Sequence, residues 1–151
     1  MANPTKSTRK TMREYELLDK FEAGIALYGY EVKAARQVGI KFEGAFVKFV
    51  GSKPTLLNAH IPLYKFAKVE NYDPDRSRNL LLNKKEILRI EGKLSQGGNL
   101  TVVPVRWYNK GGRIKVEIAL AKGRKSWEVK KLEKNRDETR RIEKELKEYI
   151  K

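Results

Sequence analysis

The segment 100–120 constrains the fold of this chain more than any other. Its second half alternates, with apolar residues at 114, 116, 118 and 120 and polar residues between them. Period-two alternation with β-branched residues indicates a half-buried strand. Val103, Val105 and Trp107 also share one face before the glycine-rich turn at 109–112, so the segment predicts a β-hairpin. Pro104 cannot donate to a strand ladder and predicts an edge position or a bulge.

Earlier segments predict a second hairpin. Residues 45–50 and 55–61 alternate on either side of a Gly-Ser-Lys-Pro turn. Residues 25–28 are also strand-like, whereas periodicity leaves 15–24 undecided between helix and strand. A long basic and aromatic loop is predicted at 62–79, and loops of that length are usually functional or mobile.

Two short helices are predicted within this pattern. The first covers 31–37, and the second begins at the capping pair formed by Asn83 and Glu86. Five or six strands with a helix inserted between two hairpins suit a small closed barrel, and the oligonucleotide-binding fold is the leading candidate.

Charge divides the chain into three parts. The net charge is +15, and residues 1–13 hold four cations and no acid. We predict a basic arm at 1–13, a barrel domain at 14–123 and a basic tail at 124–151. Such a charge favours a polyanionic partner, with nucleic acid ahead of an anionic membrane surface. The chain lacks the ~20-residue apolar run of a membrane helix and an amino-terminal signal segment, which favours the cytoplasm.

The tail has a helical but mostly polar pattern from Trp127 onward. Its apolar stripe is thin, so the helix is marginal in water and is expected to gain order on a partner. Trp127 lies among cations without apolar neighbours at strand spacing, which favours a stacking role.

The residues needed for catalysis are sparse. His60 is the only histidine, which leaves no Ser-His-Asp arrangement or histidine-rich metal site. Four acids, at Glu22, Glu31, Asp73 and Asp75, form the only set that a nuclease could use, but capping or ion-pair roles are favoured for them. Arg76 and Arg78 beside the two aspartates predict local salt bridges. We therefore predict no catalytic residue, no bound metal and no cofactor.

Several motifs occur in order along the chain and together resemble the small protein B family. They are FEAGI at 21–25, GYEVKAAR at 29–36, LNAHI at 57–61, DPDRSR at 73–78, LLL at 80–82, TVVP at 101–104 and KVEIALAKG at 115–123. The resemblance extends from about residue 15 to about residue 131.

This resemblance implies a six-stranded antiparallel oligonucleotide-binding barrel with flanking helices and a helical tail. It also implies a monomer that binds the tRNA-like domain of transfer-messenger RNA in a 1:1 complex and delivers it to stalled ribosomes for trans-translation. The implied RNA-binding residues are Glu22, Lys33, Arg36, Arg76, Arg78 and Leu81. The tail is implied to enter the decoding centre and the mRNA path with Trp127, Lys130, Lys131, Lys134 and Arg136.

The tail departs from the family pattern, since Glu128, Val129 and Lys130 stand where Asp-Lys-Arg is usual. Two alternatives remain open. One is a general ribosome-associated or assembly RNA-binding protein with the same barrel, and the other is the nuclease with the four acids above. A long helical tail favours the ribosome-rescue role over general binding, because a general binder has no need of it.

Overall fold

The computed structural model describes the backbone of residues 12–150 and the side chains of these residues apart from 126, 127, 129 and 148–150. Within this part of the chain there are six strands: β1 (Tyr15–Ile25), β2 (Phe46–Val50), β3 (Lys53–Leu57), β4 (Arg78–Leu81), β5 (Leu100–Lys110) and β6 (Arg113–Gly123). The helices of two turns or more are α1 (Gly29–Val38), α2 (Lys84–Ser95) and α3 (Ser126–Ile150). Most of the predicted arm lies outside the described residues, and residues 12–14 form a helical turn before β1.

The six strands form a closed barrel in the order β1-β4-β3-β2-β5-β6, and β6 pairs with β1 to complete the ring. All pairs are antiparallel. Closure gives every described strand two neighbours and surrounds one apolar core. The predicted six-stranded oligonucleotide-binding type of barrel is therefore confirmed.

The β5–β6 hairpin supplies much of that core. Its four alternating residues at 114, 116, 118 and 120 are buried, as predicted. A bulge lies between Pro104 and Arg106, which confirms the interpretation of Pro104. The bulge reverses the alternation, so Val102 and Trp107 pack in the barrel core. Val103 is buried outside that cluster, and the prediction that it shares a face with Trp107 is wrong.

Other strands differ from the predicted ones in where they end. The undecided segment forms β1, which ends at Ile25 because Tyr28 already caps helix α1. Strand β3 ends at Leu57 rather than at 61, because Asn58 adopts a left-handed φ of 62° that breaks an extended strand. Strand β4 was not predicted, since it has only four residues at the end of the predicted loop.

Both predicted helices of the barrel domain are present. At the start of α2 the backbone N–H of Glu86 donates to Asn83 Oδ1 at 2.9 Å, which confirms the capping pair. This helix buries Ile90 completely against the barrel core. The tail is helical as predicted, and its Leu132, Ile142 and Leu146 side chains are exposed. Ordering of the tail by a partner stays a prediction.

Candidate nucleic-acid interface

The register of four neighbouring strands aligns one row of residues on the outside of the barrel. Tyr108 pairs with Lys115, Lys115 with Gly24, and Gly24 with Leu81. The Leu81 side chain is 64% exposed, because alternation along β4 turns Leu80 inward and Leu81 outward. A Cβ on Gly24 would lie 3.2 Å from the Leu81 Cβ, so only glycine leaves Leu81 its present position without a shift.

Glu22 lies on β1 two residues before Gly24 and therefore faces outward as well. Its carboxylate accepts hydrogen bonds from the Tyr108 hydroxyl and, at 3.2 Å, from Lys110 Nζ. The Tyr108 hydrogen bond is the main cause that holds the pKa of Glu22 below its usual value, against a smaller effect of desolvation. Burial first, and then the Glu22 carboxylate, raise the pKa of Tyr108 to about 12.

These side chains place an anionic acceptor, two ammonium groups, a phenol and an apolar contact on one rigid surface. We call Glu22, Leu81, Tyr108, Lys110 and Lys115 the barrel face. Lysines can neutralise phosphates, a carboxylate can accept hydrogen bonds from bases or sugars, and a leucine can pack on either. The arrangement therefore has the groups needed to bind a folded polyanion that also presents hydrogen-bond donors, such as base or sugar groups.

A groove of about 210 Å³ runs from Leu81 to the β5–β6 turn. Arg36 of helix α1 fixes the end of this groove, since its Nη2 donates to the Gly112 carbonyl at 2.8 Å and its Nε to Asn109 Oδ1 at 3.4 Å. The turn depends on Gly111 and Gly112, whose φ angles are both positive at 57° and 77°. Arg36 thus lies beside the turn of the β5–β6 hairpin and anchors it, and its role in RNA binding stays a prediction.

A second carboxylate, Glu31, lies in a buried network beneath the long loop. Its Oε2 accepts from Arg78 Nε at 2.8 Å and from Arg76 Nε at 3.1 Å, and its Oε1 accepts from the Tyr28 backbone N–H at 3.0 Å. The Tyr72 hydroxyl lies 3.0 Å from Oε2. Burial alone would raise the pKa of Glu31, but the donors from Arg76, Tyr28 and Arg78 hold it below its usual value.

Arg78 corrects one site prediction. Its side chain is completely buried, and its Nη1 donates to the Ala59 carbonyl at 2.7 Å while its Nη2 donates to the Pro74 carbonyl at 3.0 Å. With Nε on Glu31, every nitrogen of the guanidinium has a protein acceptor. The expected place of Arg78 on the basic surface is therefore wrong, because the residue ties the loop to the barrel.

The local salt bridges predicted around the two aspartates are also wrong. Arg76 and Arg78 pair with the distant Glu31. Asp75 instead lies 2.8 Å from His60 Nδ1, and Asp73 accepts from the Asp75 backbone N–H at 2.9 Å. The favoured capping and ion-pair roles are confirmed for Glu31, and His60, which lies after the end of β3, is hydrogen-bonded to Asp75.

Arg76 and Lys33 remain accessible next to aromatic rings. The Arg76 guanidinium carbon lies 4.4 Å from the centroid of the Tyr28 ring, and its side chain is 25% exposed. Lys33 Nζ lies 5.7 Å from the centroid of the Tyr64 ring. Both cations lie on the loop side of helix α1, so the structure does not bring them onto the barrel face.

The predicted tail residues lie along α3, away from the barrel strands in sequence. Lys130, Lys131, Lys134 and Arg136 are exposed. The prediction for the Trp127 side chain falls outside the described residues. Near the start of the helix, Arg13 Nη1 pairs with Glu133 at 3.3 Å.

The structure adds residues that the sequence did not single out for binding, above all Lys110 and the loop residue Phe66. Lys115 is one of the alternating polar residues predicted for the outer face of the hairpin, and strand register pairs it with both Tyr108 and Gly24. Among the described residues, no group of three or more His, Cys, Asp or Glu side chains is placed to hold a metal ion. No described helix has the length and apolarity to cross a membrane.

Fold and surface together define a small closed barrel of the oligonucleotide-binding type, with a cationic outer face and a long basic helix. The model of the SmpB protein family matches residues 5–148. The chain belongs to the SmpB family.

Individual relatives agree with this assignment. The chain is similar to the SsrA-binding protein of a Sulfurihydrogenibium species, with 44% identity over 145 residues that cover 96% of this chain and 95% of the relative. It is 44% identical over 136 residues to the SsrA-binding protein of Deinococcus radiodurans, covering 90% and 94%. A solved structure described as "tmRNA-SmpB: a journey to the center of the bacterial ribosome" matches with a TM-score of 0.62 and 43% identity, covering 76% of this chain and 80% of that one.

Proposed function

We propose that this chain is a non-catalytic RNA-binding factor that holds the tRNA-like domain of transfer-messenger RNA and delivers it to stalled ribosomes for trans-translation. It acts in the cytoplasm as a monomer in a 1:1 complex with the RNA. Relatives named for SsrA binding and a related structure described by transfer-messenger RNA and the ribosome support this proposal. The observation that carries it is the barrel face, where Glu22 and Leu81 lie on one outward surface with two lysines.

On this face each residue has a distinct part. Lys110 and Lys115 neutralise phosphates on the approaching RNA strand. Glu22, kept ionised by its donors, accepts hydrogen bonds from base or sugar groups that only an ordered RNA fold presents together. Leu81 packs against a base or ribose beside them. Arg36 keeps the turn next to this surface in place.

The tail has a separate part in the proposal. Lys130, Lys131, Lys134 and Arg136 are exposed on a helix whose described side chains Leu132, Ile142 and Leu146 are also exposed. In the mRNA path these cations pair with the phosphates of ribosomal RNA, and the Trp127 ring stacks there. RNA binding and ribosome engagement are therefore assigned to different parts of the chain.

No observation favours the two alternatives. The nuclease needs convergent acids, yet Glu31 is saturated by two arginines while Asp75 is engaged by His60. A general RNA-binding protein leaves the 25-residue basic helix without a role.

Truncation after Lys125 tests the division of roles. It keeps the hydrogen bond from the Arg124 backbone N–H to the Glu14 carbonyl, which ties the end of β6 to the start of β1. We expect the truncated chain to bind the tRNA-like domain nearly as well as the full chain in a gel shift. It should fail to add the peptide tag in a reconstituted translation system. Loss of both activities would show that the tail belongs to the RNA-binding surface, and retention of both would remove its ribosomal role.

A further inference from the structure

The loop that follows β3 carries a solvent-exposed aromatic ring. Phe66 is 70% exposed, the highest value among the described large apolar side chains. A turn closed by the Ala67 backbone N–H donating to the Tyr64 carbonyl at 2.9 Å presents it. The centroids of the Phe66 and Tyr64 rings lie 5.4 Å apart and the ring planes are inclined at 71°, which is an edge-to-face contact. Tyr64 itself packs against the barrel core, so it gives Phe66 a fixed support.

Three lysines surround these rings. Lys65 Nζ lies 4.9 Å from the centroid of Phe66, and Lys33 Nζ lies over Tyr64. Lys68 lines the same shallow cleft of about 590 Å³ with both rings. In the described part of the chain none of these three lysines forms an ion pair with a carboxylate. We call Lys33, Tyr64, Lys65, Phe66 and Lys68 the aromatic patch.

We propose that the aromatic patch binds one unpaired RNA nucleobase, which stacks on Phe66 while the lysines contact its flanking phosphates. Every base offers a π-face to an exposed ring, and cations beside that ring match the phosphates on either side of the base. An apolar protein partner fits less well, since it would desolvate three ammonium groups without supplying counter-charges. The proposal rests on the proposed RNA-binding function and adds a second contact to it.

This site is separate from the barrel face. Helix α1 lies between them, because Val32 lines the groove beside Leu81 whereas Lys33 lines the aromatic patch. The base could come from the tRNA-like domain or from ribosomal RNA, and both present the same chemistry. An experiment must therefore examine both complexes.

Photo-crosslinking from position 66 identifies the ligand. The full chain carrying benzoylphenylalanine at this position is irradiated with the tRNA-like domain alone and, separately, with ribosomes loaded with transfer-messenger RNA. Position 50 is the control, since Val50 is 57% exposed on the β2–β3 hairpin, outside the loop that carries Phe66. We expect an RNA crosslink at a defined unpaired nucleotide from position 66 in at least one complex. A crosslink to ribosomal protein alone, or no crosslink in either, would overturn the proposal.

Matched substitutions measure how much stacking of an RNA base on Phe66 contributes to binding. Phe66→Leu keeps an apolar side chain and should weaken binding of the crosslinked RNA by about 5- to 150-fold, as loss of one base stack does. Phe66→Tyr should restore it, and Val50→Ala should have no effect. Lys65→Ala should lower the slope of log affinity against log salt by about 0.7. Equal affinity of Phe66→Leu and the parent chain would contradict stacking, whereas failure of the parent chain to bind RNA would contradict the proposed function.

Discussion

Two glutamates of this chain, Glu31 and Glu22, have similar hydrogen-bond partners, but Glu31 is buried and Glu22 is exposed to solvent. Glu31 is completely buried and faces Arg76, Arg78 and Tyr72. Glu22 lies on the barrel face with Tyr108 and Lys110. In both, the pKa of the carboxyl is held below its usual value, so both are anionic at neutral pH.

The difference between them lies in what solvent and a partner can reach. Arg76 and Arg78 donate their hydrogen bonds to the Glu31 carboxylate. A ligand cannot reach Arg78, because its side chain is completely buried. The donors of Glu22 are the exposed Lys110 and the half-buried Tyr108, which can turn toward an RNA. The same chemistry therefore holds the long loop in one place and offers a binding surface in the other.

The largest effect should come from removing the charge of Glu31. Glu31→Gln keeps the size of the side chain but leaves buried Arg78 without a counter-charge, which costs about 3–5 kcal/mol for a buried pair. The free energy of unfolding in urea measures this loss. The matched change Glu22→Gln, at an exposed site, should leave the urea midpoint almost unchanged. Equal midpoints for the two variants would contradict the distinction.

Protonation of Glu31 should also determine how the stability of the chain falls in acid. The pKa of Glu31 is lowered in the folded chain from the usual 4.5, so its contribution is complete above that value and is lost as the pH falls through the folded pKa. The stability gap between the parent chain and Glu31→Gln should therefore be largest near neutrality and shrink in acid. Urea titrations at several pH values check this. A gap that stays constant down to the acid range would mean that another group carries the effect.

Local patterns in the sequence were enough for the hairpin at 100–120, for the capped start of α2 and for the barrel class. Local patterns were not enough where a contact between residues far apart in sequence, or one irregular residue in a strand, determines which way side chains point. The Glu31–Arg78 pair joins residues 47 positions apart, and only the shared parity of Arg78 and Leu80 on β4 hinted that Arg78 points inward. A bulge was one of the two alternatives predicted for Pro104, but its reversal of the following faces was not predicted.

A smaller effect is expected at the barrel face. Glu22→Gln should weaken binding of the tRNA-like domain about tenfold, the loss of one charge-assisted hydrogen bond. A purely electrostatic surface would predict tighter binding, because the change removes a negative charge. Glu16→Gln is the control, since it makes the same change of charge at an exposed position of the same strand. Filter binding at fixed salt separates the two models, and tighter binding by Glu22→Gln would exclude a specific role for the carboxylate.

The most direct test follows single side chains of the labelled chain by NMR as the tRNA-like domain is added. If the barrel face binds RNA and the Glu31 network supports the fold, the methyl signals of Leu81 and the amide signal of Lys115 should shift. The Arg78 Nε–H signal should stay in place and remain protected from exchange, because its proton is held by Glu31. A shift of the Arg78 signal with unchanged Leu81 methyl signals would contradict the account.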